Sequence, residues 1–233
     1  MIARAAVCPS PPLLARELTG RALVLPELRE ACATAVARLV EPAPDVVVVV
    51  GGGAATASWD PGDRLDLAAW APALARAGGR GTPGLPLALG LGAMLLDAAG
   101  YAGPRVMQAV GEAAQPEKCL RLGAGLAAAD PAARTAVLAV GDGSARRSPA
   151  APGHFDERAG PFDLAVEQAL RDGDMAAIAK IDPALAADLM ATGRAAWQVL
   201  AGALDGGPAP VGEVLYADAP LGVGYFVAVL DHR

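Results

Sequence analysis

Val46-Val47-Val48-Val49-Val50-Gly51-Gly52-Gly53 decides the architecture. Five consecutive β-branched residues favour a strand over a helix, because their side chains are stiff at χ1. The run shows no alternation of apolar and polar positions. A strand that is apolar on both faces belongs inside a sheet covered by helices on both sides. Thr135–Val140 repeats the pattern and runs into Gly141-Asp142-Gly143. Further strand signals lie at Ile2–Cys8, 105–110, 213–217 and 224–230. Helical spacing alternates with them at 28–40, 87–99, Pro116–Ala128, 161–171, 175–181, 183–190 and 195–204. Asp182 before Pro183 supplies an N-cap followed by proline at the first helical position. The order predicts an α/β fold, a single domain over residues 1–233 with a central sheet flanked by helices. Residues 54–85 break it with an irregular excursion holding Trp59 and Trp70, read as a surface loop.

Composition narrows the function classes. Hydrophobic residues make up 54% and charged residues 19%, the balance of a chain that buries a core. A net charge of -6 argues against a nucleic-acid partner, which rewards clustered Lys and Arg. No apolar run is long enough to span a membrane. Residues 1–7 are too short for a signal segment. Cys8, Cys32 and Cys119 are odd in number and widely spaced, which predicts free thiols in a reducing cytoplasm. A small-molecule ligand, a protein partner or a homodimer remain open.

Three motifs recur together: Cys8-Pro9-Ser10-Pro11-Pro12-Leu13-Leu14, Gly141-Asp142-Gly143-Ser144 and Gly222-Val223-Gly224-Tyr225. With Pro161-Phe162-Asp163, Ile181-Asp182-Pro183 and Gly193-Arg194 in the same order, the chain resembles the LigB-type class III extradiol ring-cleaving dioxygenases, a superfamily that includes the Memo-like proteins. The resemblance implies a mixed central sheet and a ferrous site built from histidines at three strand ends. The positions corresponding to those histidines read Ser10, Gly53 and Ala145 here. The chain has only two histidines, His154 and His232.

Each strand end has two readings. Cys8 is either a thiolate ligand or a buried cysteine closing a strand. Ser10 replaces an imidazole with a hydroxyl, a poor iron ligand. Gly51, Gly52 and Gly53 form either a turn cradling an anion through backbone N–H groups or a plain flexible turn. Asp142 caps its turn or binds a metal, and Ala145 can neither transfer a proton nor bind a cation. Arg146 and Arg147 bind an anion in the cleft or pair with surface carboxylates such as Asp156 and Glu157. His154, Asp156 and Glu157 form a metal cluster, or Asp156 opens a helical turn. His232 is expected at the surface.

The resulting expectation is a catalytically degenerate, metal-free LigB-type protein that keeps a cleft for a small, anionic ligand or a partner. The alternative is an active aromatic-ring-opening dioxygenase with Fe2+ on an unusual set such as Cys8, Asp142 and His154, or with residues from a partner subunit. A hydrolase with Ser10 or Ser144 as nucleophile ranks last, because no histidine stands by as base.

Overall fold

Among the described residues, seven strands line up in one mixed sheet, in the order β3-β4-β2-β5-β1-β7-β6. They are β1 (Ile2–Cys8), β2 (Val46–Gly53), β3 (Ala57–Trp59), β4 (Arg105–Gly111), β5 (Thr135–Val140), β6 (Val211–Asp218) and β7 (Tyr225–Asp231). The computed structural model describes residues 2–65, 67, 71 and 84–231; Trp70 and His232 lie outside them. The four central strands β4, β2, β5 and β1 are mutually parallel. β3 at one edge, and β7 and β6 at the other, run antiparallel to their neighbours. The carboxyl ends of the four parallel strands therefore share one edge.

The helices are α1 (Arg16–Thr19), α2 (Pro26–Val40), α3 (Leu87–Ala98), α4 (Pro116–Ala128), α5 (Ala159–Asp172), α6 (Met175–Ala179), α7 (Pro183–Asp188) and α8 (Arg194–Leu204). Alternate side chains of the strands feed two cores. Cys8, Val47, Val49, Leu138 and Val140 face Leu28 and Cys32 of α2 and Leu89 of α3. Val48, Val50, Val137 and Phe226 face Trp197 and Leu200 of α8 and Val166 of α5. The β-branched runs are thus buried on both faces, as their composition requires. All of α8 is buried. Its outer side is covered by α4, where a Cβ on Gly123 would collide with the Val199 carbonyl and a Cβ on Gly202 with the Leu120 carbonyl. Two glycines let these helices approach backbone to backbone.

Local signals hold well at several boundaries. α4 and β5 begin and end where the residues predict. Asp182 caps α7, its Oδ1 accepting from the Ala184 N–H at 2.8 Å. Two expectations change. The three glycines after Val50 do not turn: Gly51, Gly52 and Gly53 prolong β2, paired with Ala109, Val110 and Gly111 of β4. The excursion after them contains β3, which pairs Ala57–Trp59 with Met107 to Ala109. Among the described residues no helix is long and apolar enough to cross a membrane.

Candidate functional site

In an open α/β sheet, ligands bind beyond the carboxyl ends of the parallel strands. Here the ends of β1 and β5 lie side by side, Cys8 opposite Val140. The chain then continues as two loops that grip each other. The Gly141 N–H donates to the Cys8 carbonyl at 3.0 Å. The Ser10 N–H donates to Asp142 Oδ1 at 2.5 Å. Beyond β5, the segment at Thr192 crosses over the strand ends. The Asp142 N–H donates to Thr192 Oγ1 at 3.2 Å, and the Gly193 N–H to the Asp142 carbonyl at 2.8 Å. Gly141 and Gly193 pack with no room for a Cβ on Gly141.

Asp142 is the chemically distinct group of this edge. Burial pushes its carboxyl up to about 6, against the downward pull of the Ser10 backbone N–H and hydroxyl. Tyr225, at the start of β7, is buried and its phenol is raised, first by burial and then by the Asp142 charge. The loops thus hold a carboxyl that changes charge near neutrality, a range in which proton exchange with a ligand is efficient. Gly52 leaves space beside Glu112 and the Thr192 carbonyl, each 3.4 Å from where a Cβ would stand. Glu112 and Thr192 are exposed.

The other residues anticipated from the sequence divide sharply. Cys8 is fully buried; the Cys32 side chain beside it, and then burial, push its thiol well up. Its side chain packs into the core against α2. Ser144 is fully buried, and all its polar atoms are used: its hydroxyl donates to the Leu189 carbonyl at 3.0 Å and accepts from the Arg146 N–H at 3.1 Å. Its backbone N–H donates to Asp163 Oδ1 at 2.9 Å. That spends Ser144 on structure, not on nucleophilic attack. Ala145 is buried, its N–H bound to the Leu189 carbonyl and its carbonyl to the Gly153 N–H. His154 is exposed, on a backbone with φ of 57°, and its N–H closes a turn on the Ala151 carbonyl. Asp156 grips Arg158 through both carboxylate oxygens, at 3.0 and 2.8 Å, which holds its carboxyl down at about 2.

The two arginines part company. Arg147 pairs with Asp163 at 2.9 Å, and not with Asp156 or Glu157. Asp163, in the first turns of α5, is buried between Gly143 and Gly224; a Cβ on either glycine would press on its carboxylate. Burial raises its carboxyl, opposed by the Ser144 N–H and Arg147. Arg146 makes no ion pair among the described residues, and its Nε is buried without an acceptor. Nothing within Pro161-Phe162-Asp163 itself marks Asp163 for this pairing. The glycines at 143 and 224, which make room for a carboxylate, were the available signal. Thr192 carried none.

No family model matches the chain, and no curated protein matches it. Among solved structures, the uncharacterized protein JW3007 from Escherichia coli K12 is similar over 98% of this chain and 99% of its own, with a TM-score of 0.54 and 13% sequence identity. At that identity the likeness speaks for the fold. The two chains share an overall architecture from end to end.

The edge also allows a test of the ferrous ion that the LigB-type resemblance implies. Non-haem iron of this class needs imidazole and carboxylate ligands facing one open position. Ser10 offers its amide and hydroxyl to Asp142, Gly53 offers no side chain, and Ala145 offers a buried methyl group. Among the described residues no three His, Cys, Asp or Glu side chains are grouped to hold a metal ion. The donor set does not fit iron.

Proposed function

We propose that this chain is a LigB-type scaffold whose ring-opening iron site has been replaced by a ligand-binding edge centred on Asp142. The observation that carries the reading is the grip of Ser10 on Asp142. The loop after β1, which carries a metal-binding histidine in the resembled family, here carries a serine whose amide and hydroxyl both engage the Asp142 carboxyl. That carboxyl is the edge's titrating group, at about 6. With Thr192 bound to the Asp142 backbone and Glu112 standing beside Gly52, the edge is rich in acceptors. Those acceptors suit a small ligand bearing hydroxyl or amino donors.

Anaerobic reconstitution with ferrous iron, followed by metal analysis and a catechol-dependent oxygen-uptake assay, tests the loss of the iron site. The reading expects far less than one iron per chain and no uptake. Stoichiometric iron with oxygen uptake overturns it in favour of an active dioxygenase. A thermal-shift screen of polyols and small amines tests the binding edge: hits on the wild type should be lost in Asp142→Asn. Hits that survive the substitution place the ligand elsewhere.

A further inference from the structure

Two of the three free cysteines meet where β1 packs on α2. Cys8 ends β1 on the face turned to α2, and Cys32 lies on the inward face of that helix with Leu28 and Val36. Both are fully buried, and their side chains are hydrogen-bonded to each other. Cys119 belongs to the core on the opposite face of the sheet and stands apart from the pair. Strand and helix periodicity thus bring together two sulfurs that are far apart in the chain.

A buried thiol is ordinarily inert, because the thiolate is the reactive form and burial disfavours it. This pair has two groups that oppose that penalty. Cys8 is the sulfur that keeps its proton, so its S–H stands as a donor to a thiolate at Cys32. The Arg29 guanidinium, three residues before Cys32 on α2, attracts the same thiolate. That guanidinium is held by neutral acceptors: the Val24 carbonyl at 2.8 Å, the Leu14 carbonyl at 2.9 Å and the Leu13 carbonyl. Arg29 also lines a cavity of about 480 Å³ between α2 and α3, shared with Leu14, Ala33 and Met94. Small solutes therefore reach the guanidinium that faces Cys32.

We propose that Cys8 and Cys32 form a reversible disulfide when the protein meets a hydroperoxide. A thiolate at Cys32 attacks one peroxide oxygen; the O–O bond breaks, hydroxide leaves and takes up a proton, and the sulfur becomes a sulfenic acid. The Cys8 sulfur then attacks the Cys32 sulfur. The S–S bond forms, the S–O bond breaks, and the departing hydroxyl leaves with the Cys8 proton as water. Together the two sulfurs lose two electrons, and one hydrogen peroxide becomes two waters. A reducing thiol reverses the bond by exchange. The disulfide closes residues 9–31 into a loop and ties α2 to the strand end that leads to Ser10. None of this involves the Asp142 carboxyl, so it stands or falls apart from the ligand-binding edge.

The test is to treat the reduced protein with increasing hydrogen peroxide, denature it in an alkylating reagent and map it by mass spectrometry. Three alkylated cysteines should fall to one, Cys119, with Cys8 and Cys32 recovered in one cross-linked product. Dithiothreitol should restore all three. The rate should rise in proportion to peroxide, and the oxidised protein should unfold at higher urea. Cys8→Ala should stop at a sulfenic acid on Cys32, trapped by dimedone, while Cys32→Ala should leave Cys8 unmodified at the same dose. Thiols that all persist while the protein stays folded overturn the proposal, as does a cross-link to Cys119 or to a second molecule. A rate that ignores peroxide concentration overturns it too, because the sulfurs would then meet the oxidant only after unfolding. So does an oxidised protein that unfolds at lower urea. A sulfenic acid on Cys8 in Cys32→Ala, with none on Cys32 in Cys8→Ala, overturns the assignment of Cys32 as the attacking sulfur.

Discussion

Replacing Asp142 by Asn should make the protein more stable at neutral pH and leave it nearly unchanged in acid. The amide keeps an oxygen to accept the Ser10 N–H, so the loop contact survives. What disappears is the cost of holding a charge in a buried site. Moving a carboxyl from 3.8 to about 6 corresponds to about 3 kcal/mol between its two protonation states. The residual solvent contact of Asp142 trims this to about 2 kcal/mol. The sign follows from linkage. Because the folded-state value is raised, the native protein holds the proton more tightly than the unfolded chain does. The associated stability is fully present below about 4 and is lost as the pH rises through about 6. Urea unfolding of both proteins between pH 4 and pH 8 measures the difference directly. The variant's advantage should grow across that window to about 2 kcal/mol and then level off. A difference that does not vary with pH, or a wild type that is more stable at pH 8, would refute the reasoning. A carboxyl kept at such a cost, where Asn would fold better, is the mark of a group retained for binding or chemistry.

Other outcomes follow from the same geometry. In α4, Gly123→Ala should destabilise by about 2 kcal/mol, because the methyl group meets the Val199 backbone of α8, whereas Gly125→Ala, with nothing within 4 Å, should stabilise by up to about 1 kcal/mol. Equal effects in urea unfolding would mean that the two helices do not touch at that turn. Arg147→Ala should cost about 3 kcal/mol by stranding the buried Asp163 carboxylate, and adding Asp163→Asn should recover most of the loss. A double variant as unstable as the sum of its parts would show that the pair is not coupled.

How much of this was legible in the residues differs from one element to another. The valine run of β2 and the apolar run of β5 announce two-sided burial because no other environment suits them. Proline at the start of α4 and the Asp182-Pro183 pair fix helix starts through local geometry alone. Gly51 to Gly53 mislead because glycine after a strand ordinarily marks a turn. Their role here is steric: a Cβ on Gly51 would stand 2.5 Å from the Ala88 Cβ of α3, so glycine lets the helix pack on the strand. β3 carries too few residues for a pattern and exists because β4 offers a free edge. The site was half visible. Ser10, Asp142 and the missing histidines were on the page as residue types. The partner of Arg147 was not, because Asp163 reaches it through the packing of α5 against β7. The raised carboxyl of Asp142 was equally hidden, since burial is a property of the assembled loops.

The central claim is that Asp142 is a proton-exchanging group engaged by Ser10 and not an iron ligand. The most direct measurement is the titration of its side-chain carboxyl carbon by NMR, with and without one equivalent of ferrous iron under argon. The account predicts a midpoint near 6 and a resonance that stays sharp and titrates identically when iron is added. A midpoint near the ordinary carboxyl value, or a resonance broadened away by the paramagnetic ion, would contradict it.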